Sequence, residues 1–181
     1  MAPLTVAVTG GIGAGKSAAL AAFARRGVPT LSADRVVHRL IGEDPEVRAA
    51  LEERLGTTDR AGIAAVVFAD REQLHWLEAL LHPRVRREQE AWLAGLGAEV
   101  AAIEIPLLFE TGGEERFDAV VVITAPADVR AERTGRADDA RAARLLPDAE
   151  KVSRADFAYV NDGTLDELDA FVGQVLARLT G

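Results

Sequence analysis

The chain is 181 residues long, 49% hydrophobic and formally −8 in charge, with a mean hydropathy of +0.06. A chain of this size and composition buries one α/β core with room for an inserted or appended substrate region, and the composition excludes a disordered protein. The pI of about 5.0 argues against broad nucleic-acid or anionic-membrane binding, no run of ~20 apolar residues predicts a membrane span, and the absence of cysteine excludes disulfides and thiolate metal sites.

Leu4-Thr5-Val6-Ala7-Val8-Thr9 is a short apolar, β-rich run that predicts a buried strand. It leads into Gly10-Gly11-Ile12-Gly13-Ala14-Gly15-Lys16-Ser17, which reads G-x-x-x-x-G-K-S, the Walker A phosphate-binding loop. An alanine-rich helical run follows from Ser17 to Arg26, stopped by Gly27. Strand, glycine loop and helix are the arrangement that phosphate binding needs. The glycines let backbone N–H groups turn around an anion, and the new helix adds the positive end of its dipole. Lys16 then reaches the β- and γ-phosphates and the Ser17 hydroxyl ligates Mg²⁺. A dinucleotide loop is the first rival, but it does not need the Lys-Ser pair that closes this one; a glycine-rich turn that happens to precede lysine is the bland alternative. The pattern predicts a nucleoside triphosphate site. With no export signal before the first strand, the expected location is cytoplasmic.

Val28–Ser32 reads as a second strand, and Asp34 stands where it gives way to a helical run, Arg35–Ile41. Asp34 is open to two readings: a helix N-cap, or a carboxylate at the carboxyl end of a strand, able to accept a proton from an attacking hydroxyl. Residues 42–98 read as mainly helical. Asp44-Pro45-Glu46 opens one helix and Gly56 ends it; Asp59-Arg60 precedes an apolar run to Phe68; a third run passes through Leu74, Leu77, Leu80 and Leu81. Pro83 is expected to break that run and start a new helix. His82 stands beside it with no HExxH and no cysteine, so a metal role is disfavoured. Arg84, Arg86 and Arg87 read first as a solvated face and second as anion ligands.

Val100–Ile105 predicts a third buried strand, ended by Pro106-Leu107-Leu108-Phe109-Glu110. Glu104 inside this apolar run requires a partner: a metal, directly or through water, or a nearby arginine or backbone N–H. Phe117–Ile123 reads as the fourth strand, and Arg130, Arg133, Arg136, Arg141 and Arg144 form a series interleaved with acids. That series is either a salt-laced exposed helix pair or a lid whose guanidinium groups close over a triphosphate. Ala155–Asn161 reads as the fifth strand, and Thr164-x-x-Glu167 as the capping box of a terminal helix.

VTGGIGAGKS, GVPTLSAD, DRAGIAAVVF, LEALLHPRVR, IEIPLLFE, FDAVVVITAP and KVSRADFAYVNDG, in this order over essentially the whole chain, resemble the dephospho-CoA kinase family. The HP-x-V and PLLFE segments carry most of the discrimination from other small kinases. The resemblance implies a P-loop NTPase, nucleoside-monophosphate-kinase-like three-layer α/β/α fold with a five-stranded parallel sheet, a helical CoA-binding region and a short lid. As one domain over 1–181, it implies a core of about 1–33, 99–128 and 152–181, a helical region of about 34–98 and a lid of about 129–151. It implies transfer of the γ-phosphoryl of ATP to the ribose 3′-hydroxyl of dephospho-CoA, the last step of coenzyme A biosynthesis, with Mg²⁺ as cofactor and no nucleic-acid or membrane partner; a monomer is compatible with it.

By the same resemblance Asp34 becomes the general base, acting with Lys16. The loop residues Gly11, Gly13, Ala14, Gly15, Lys16, Ser17 and Ala18 hold ATP, with Asn161 and Gly163 near the adenine. His82, Pro83 and Arg84 help hold the acceptor, together with Leu107, Leu108 and Glu110 beside them, and Ser17 and Glu104 are the metal candidates. Three departures from the family pattern stand out: Ser32 where the first Asp of DAD is usual, Ala18 where Thr commonly follows Lys-Ser, and a shortened segment from Arg133 to Lys151 with Leu145 where Gln is frequent. Arg136 and Arg141 are the preferred lid residues. Two rivals remain: another small-molecule kinase, for a nucleoside, gluconate or shikimate, which should lack HPRVR and IPLLFE in this order, and a nucleotide switch protein without acceptor chemistry. A GTPase switch is expected to carry Asn-Lys-x-Asp after a late strand, and Asn161-Asp162-Gly163 does not match it.

Overall fold

The computed structural model describes residues 2–135 and 145–181. The preferred lid residues Arg136 and Arg141 therefore lie outside the described residues. The chain divides into two compact units, Met1–Ser32 with Leu96–Gly181, and Ala33–Gly95.

The first unit is built on five parallel strands: β1 (Leu4–Gly10), β2 (Thr30–Ser32), β3 (Val100–Glu104), β4 (Ala119–Thr124) and β5 (Phe157–Val160), in the order β2-β3-β1-β4-β5. The near-continuous apolar composition of β3 and β4 follows from this position, since a central parallel strand is covered on both faces; all residues of both strands are buried. On one face Val6, Val8, Val121 and Ile123 pack with Phe23 of α1 (Lys16–Arg25) and with Leu168, Val172 and Val175 of α8 (Leu165–Thr180). On the other, Ala7, Val120 and Val122 meet Leu108 and Phe109, with Phe117 and Leu146 packed against them. Phe23 is fully enclosed, and its truncation to alanine removes contacts worth about 3–5 kcal/mol. The crossover after β1 runs toward β2 and the one after its neighbour β3 runs the other way to β4, so the carboxyl ends of these two adjacent strands form a topological switch point.

The strand ends differ from the sequence reading by one or two residues. β2 begins at Thr30 rather than Val28, because Pro29 has no N–H to pair; its carbonyl still accepts from Ala102 N at 3.0 Å. The first unit also carries a 3-10 turn (Glu114–Arg116), α6 (Ala127–Thr134) and α7 (Asp148–Ser153).

The second unit is helical: α2 (Ala33–Glu43), α3 (Pro45–Leu55), α4 (Arg60–Ala69) and α5 (Arg71–Ala94). Asp44, Asp59 and Asp70 each cap the following helix by accepting backbone N–H bonds, so α3, α4 and α5 follow one another with short connections. The expected break at Pro83 does not occur. α5 runs through it for 24 residues, with Leu77, Leu81 and Val85 buried on one face. The proline ring removes one helical hydrogen bond and crowds the preceding turn, and there the Arg84 guanidinium donates to the Leu80 carbonyl at 2.9 Å. The same guanidinium reaches Glu46 of α3 at 3.2 Å. Packing of the buried face outweighs the local propensity.

Candidate active site

The loop between β1 and α1 closes around backbone. Gly13 and Gly15 have φ of +73° and +102°, conformations that side-chain-bearing residues rarely adopt. Space imposes the same choice: a Cβ on Gly15 would lie 2.1 Å from Asn161 Nδ2, and one on Gly13 would lie 2.9 Å from the Thr134 methyl. Asn161 follows β5 directly, is 3% exposed, and donates through Nδ2 to the Ala14 carbonyl at 2.8 Å. The last strand thus fixes the middle of the loop.

Lys16 opens α1 and its Nζ donates to the Gly11 carbonyl at 3.0 Å, spanning the loop from inside. Ser17 Oγ donates to Glu104 Oε1 at 3.2 Å. Register explains this meeting: Glu104 pairs with Val8 across the parallel ladder, two residues before the loop begins, so the last residue of β3 stands beside the first turn of α1. Glu104 is only 5% exposed, a costly place for a carboxylate without a cation or donors. A hydroxyl and a carboxylate are hard oxygen donors of the kind that hold Mg²⁺, which takes one or two protein ligands and fills the rest from phosphate and water. Among the described residues no group of three or more His, Cys, Asp or Glu side chains could hold a metal ion.

α6 brings two arginines to the loop. Arg133 Nη1 lies 3.4 Å from the carbonyls of both Gly13 and Ala14, and Arg130 Nη1 pairs with Asp148 Oδ2 at 3.0 Å. Both belong to the arginine series noted in the sequence, but neither stood out there; what sets them apart is their place on α6, whose N-cap Pro126 follows closely after β4. After Asn161, Tyr159 stacks on Phe171 at 4.8 Å, and its hydroxyl is pushed above the ordinary tyrosine value by burial and then by the Glu167 and Asp162 carboxylates. Gly163 serves the start of α8, since a Cβ there would lie 2.2 Å from the Glu167 carboxylate that closes the capping box.

The remaining expected site residues are placed as follows. Ala18 is half-buried in the first turn of α1, against the core. Leu108 is fully buried in the apolar cluster, and Leu107 is half-buried next to it. Glu110 accepts from Leu146 N at 2.9 Å and stands 3.0 Å from the ammonium of Lys151, which is fully buried. That ion pair was not legible in the sequence. Next to it Arg154 lies over the Phe109 ring, 4.7 Å from its centroid, and pairs with Glu114. In the helical unit His82 is half-buried, Pro83 exposed, and Arg84 tied to Leu80 and Glu46. Asp34 is exposed in the first turn of α2, two residues beyond β2, rather than ahead of the helix as a cap.

A glycine loop at the switch point of a five-stranded parallel sheet, with Lys16 and the Ser17–Glu104 pair at its mouth, defines a P-loop kinase. The model of the family described as dephospho-CoA kinase matches residues 4–167. The dephospho-CoA kinase of Brucella melitensis is 38% identical over 98% of this chain and 96% of its own length. Among solved structures, TT1252 from Thermus thermophilus superposes with a TM-score of 0.83 at 35% identity, covering 100% of both chains. The dephospho-CoA kinase from Campylobacter jejuni gives 0.69 at 25% identity, covering 97% of this chain and 96% of that one. The chain belongs to the dephospho-CoA kinase family. It is an ATP-dependent phosphotransferase of coenzyme A biosynthesis, and no helix among the described residues is long and apolar enough to cross a membrane.

Proposed function

We propose that this protein transfers the γ-phosphoryl group of Mg²⁺-ATP to the ribose 3′-hydroxyl of dephospho-CoA, with Asp34 as general base. The observation that carries the reading is the Ser17–Glu104 contact beside the Walker loop, which supplies a kinase's metal donors where the triphosphate is held. Mg²⁺, bound by Ser17 and Glu104, would neutralise charge on the phosphate oxygens. The loop N–H groups and Lys16 orient the triphosphate and stabilise the charge that spreads over the transferring group. Asp34 accepts the proton as the acceptor oxygen forms its bond to phosphorus and the bond to the ADP oxygen breaks. His82, Pro83 and Arg84 belong in this reading to the acceptor-holding segment, and Leu107, Leu108 and Glu110 are assigned to the same acceptor. Arg136 and Arg141 stay assigned to the transferring phosphate. The cytoplasm is the place of action, and a monomer is compatible with the reading.

The test is product identity. Incubation with Mg²⁺-ATP and dephospho-CoA is expected to give ADP and coenzyme A, with the new phosphate on the 3′-oxygen by ³¹P NMR, and no stimulation by shikimate or gluconate. ATP hydrolysis that ignores dephospho-CoA contradicts the reading and favours a nucleotide switch.

A further inference from the structure

We propose that Asp148 is a positioning residue for nucleotide binding: its carboxylate holds Arg130 at the phosphate loop as a stand-in for a phosphate oxygen, and nucleotide binding exchanges one for the other. The inference rests on the nucleotide-binding reading of the loop and goes beyond it.

Arg130 comes from α6 and Asp148 from the first turn of α7, and their side chains meet at 3.0 Å. The pair lies directly on the loop. A Cβ on Gly11 would stand 2.7 Å from Arg130 Nη1 and 3.4 Å from Asp148 Oδ1, so glycine is the residue that lets both groups approach. On the other side of the same peptide, the Gly11 carbonyl receives Lys16 Nζ at 3.0 Å. A carboxylate is thus held against a loop whose lysine and helix N-terminus suit an anion. Arg133 makes the contrast, since it rests on the neutral carbonyls of Gly13 and Ala14. Arg130 and Asp148 are each about one-third exposed (31% and 29%), so solvent and a ligand reach the pair.

The carboxylate occupies a planar guanidinium fork that suits phosphate as well as carboxylate, so the two compete for Arg130. Because the pair is partly solvated, its hold is weak and exchange is easy. Asp148 therefore lowers nucleotide affinity modestly while keeping Arg130 aimed at the loop.

Titration calorimetry with Mg²⁺-ATP on wild type, Asp148→Asn, Asp148→Ser, Arg130→Gln and Asp148→Asn/Arg130→Gln tests this, with thermal denaturation without nucleotide checking that each variant is folded. Both Asp148 variants are expected to lower Kd about 2–5-fold, Arg130→Gln to raise it, and the double variant to match Arg130→Gln alone. An unchanged or raised Kd in folded Asp148 variants overturns the proposal, as does a gain that persists without Arg130, which marks a general charge effect. Wild type that fails to bind Mg²⁺-ATP removes the nucleotide reading and this inference together. Wild type that binds, with variants that do not differ from it, removes this inference alone.

Discussion

Ser17 Oγ donates to Glu104 Oε1 across 3.2 Å, joining residues 87 positions apart in the chain. The contact ties the first turn of α1 to the carboxyl end of β3 and sets a hydroxyl and a buried carboxylate side by side at the loop. Glu104→Gln keeps the shape and removes the charge. The Mg²⁺ concentration for half-maximal turnover is expected to rise about 10–100-fold, as for groups that hold or orient a metal ligand. A variant with the wild-type Mg²⁺ dependence assigns Glu104 to packing.

Asn161 gives the Ala14 carbonyl its side-chain donor at 2.8 Å. Asn161→Ala leaves that acceptor without it in a buried place, at a cost of about 1–3 kcal/mol. For a chain of this length each kcal/mol lowers Tm by about 2–4 °C. Thermal denaturation with an unmoved Tm contradicts the role given to this bond.

The Lys151–Glu110 pair behaves as a buried ion pair, costly to break and cheap to replace whole. Lys151→Met alone is expected to cost about 3–5 kcal/mol, and Lys151→Met with Glu110→Leu clearly less. Recovery stays incomplete because Glu110 also accepts from Leu146 N. Denaturant titration of both variants checks the order; a double variant less stable than the single contradicts it.

The capping box of α8 links stability to pH. Backbone and hydroxyl hydrogen bonds from Thr164 hold the Glu167 carboxyl below the ordinary carboxylate range. Its contribution is therefore full above the unfolded-state value and is lost as pH falls through the lower folded one. Denaturant midpoints of wild type and Glu167→Gln are expected to differ at neutral pH and converge in acid; a gap that widens on acidification contradicts this.

Most of the fold was readable from local pattern. The strand–loop–helix at the start, the caps at Asp44, Asp59 and Thr164, and the apolar runs of β3 and β4 each follow from residues near one another in the chain. What failed, or was not visible, depends on distant partners. Pro83 predicts a break because propensity cannot register the packing of Leu77, Leu81 and Val85. Glu104 was flagged as a buried acid, yet only the register with Val8 shows that Ser17 is its partner. The Glu110–Lys151 pair was not visible because nothing near Glu110 in sequence announces Lys151, 41 positions later; the two meet only when α7 returns to the loop after β3. Arg130 and Arg133 were two of five arginines in a row, and the fold, not the spacing alone, brings these two to the loop.

The most direct measurement is ADP release from Mg²⁺-ATP, with and without dephospho-CoA, by wild type and by Asp34→Asn, alongside ATP affinity for both. Wild type is expected to turn over only with the acceptor. The variant is expected to lose about 10²–10⁴ in turnover with ATP binding nearly intact, the signature of a missing general base. Acceptor-dependent turnover that survives in Asp34→Asn would return this residue to a helix-start role, and wild type indifferent to dephospho-CoA would contradict the account itself.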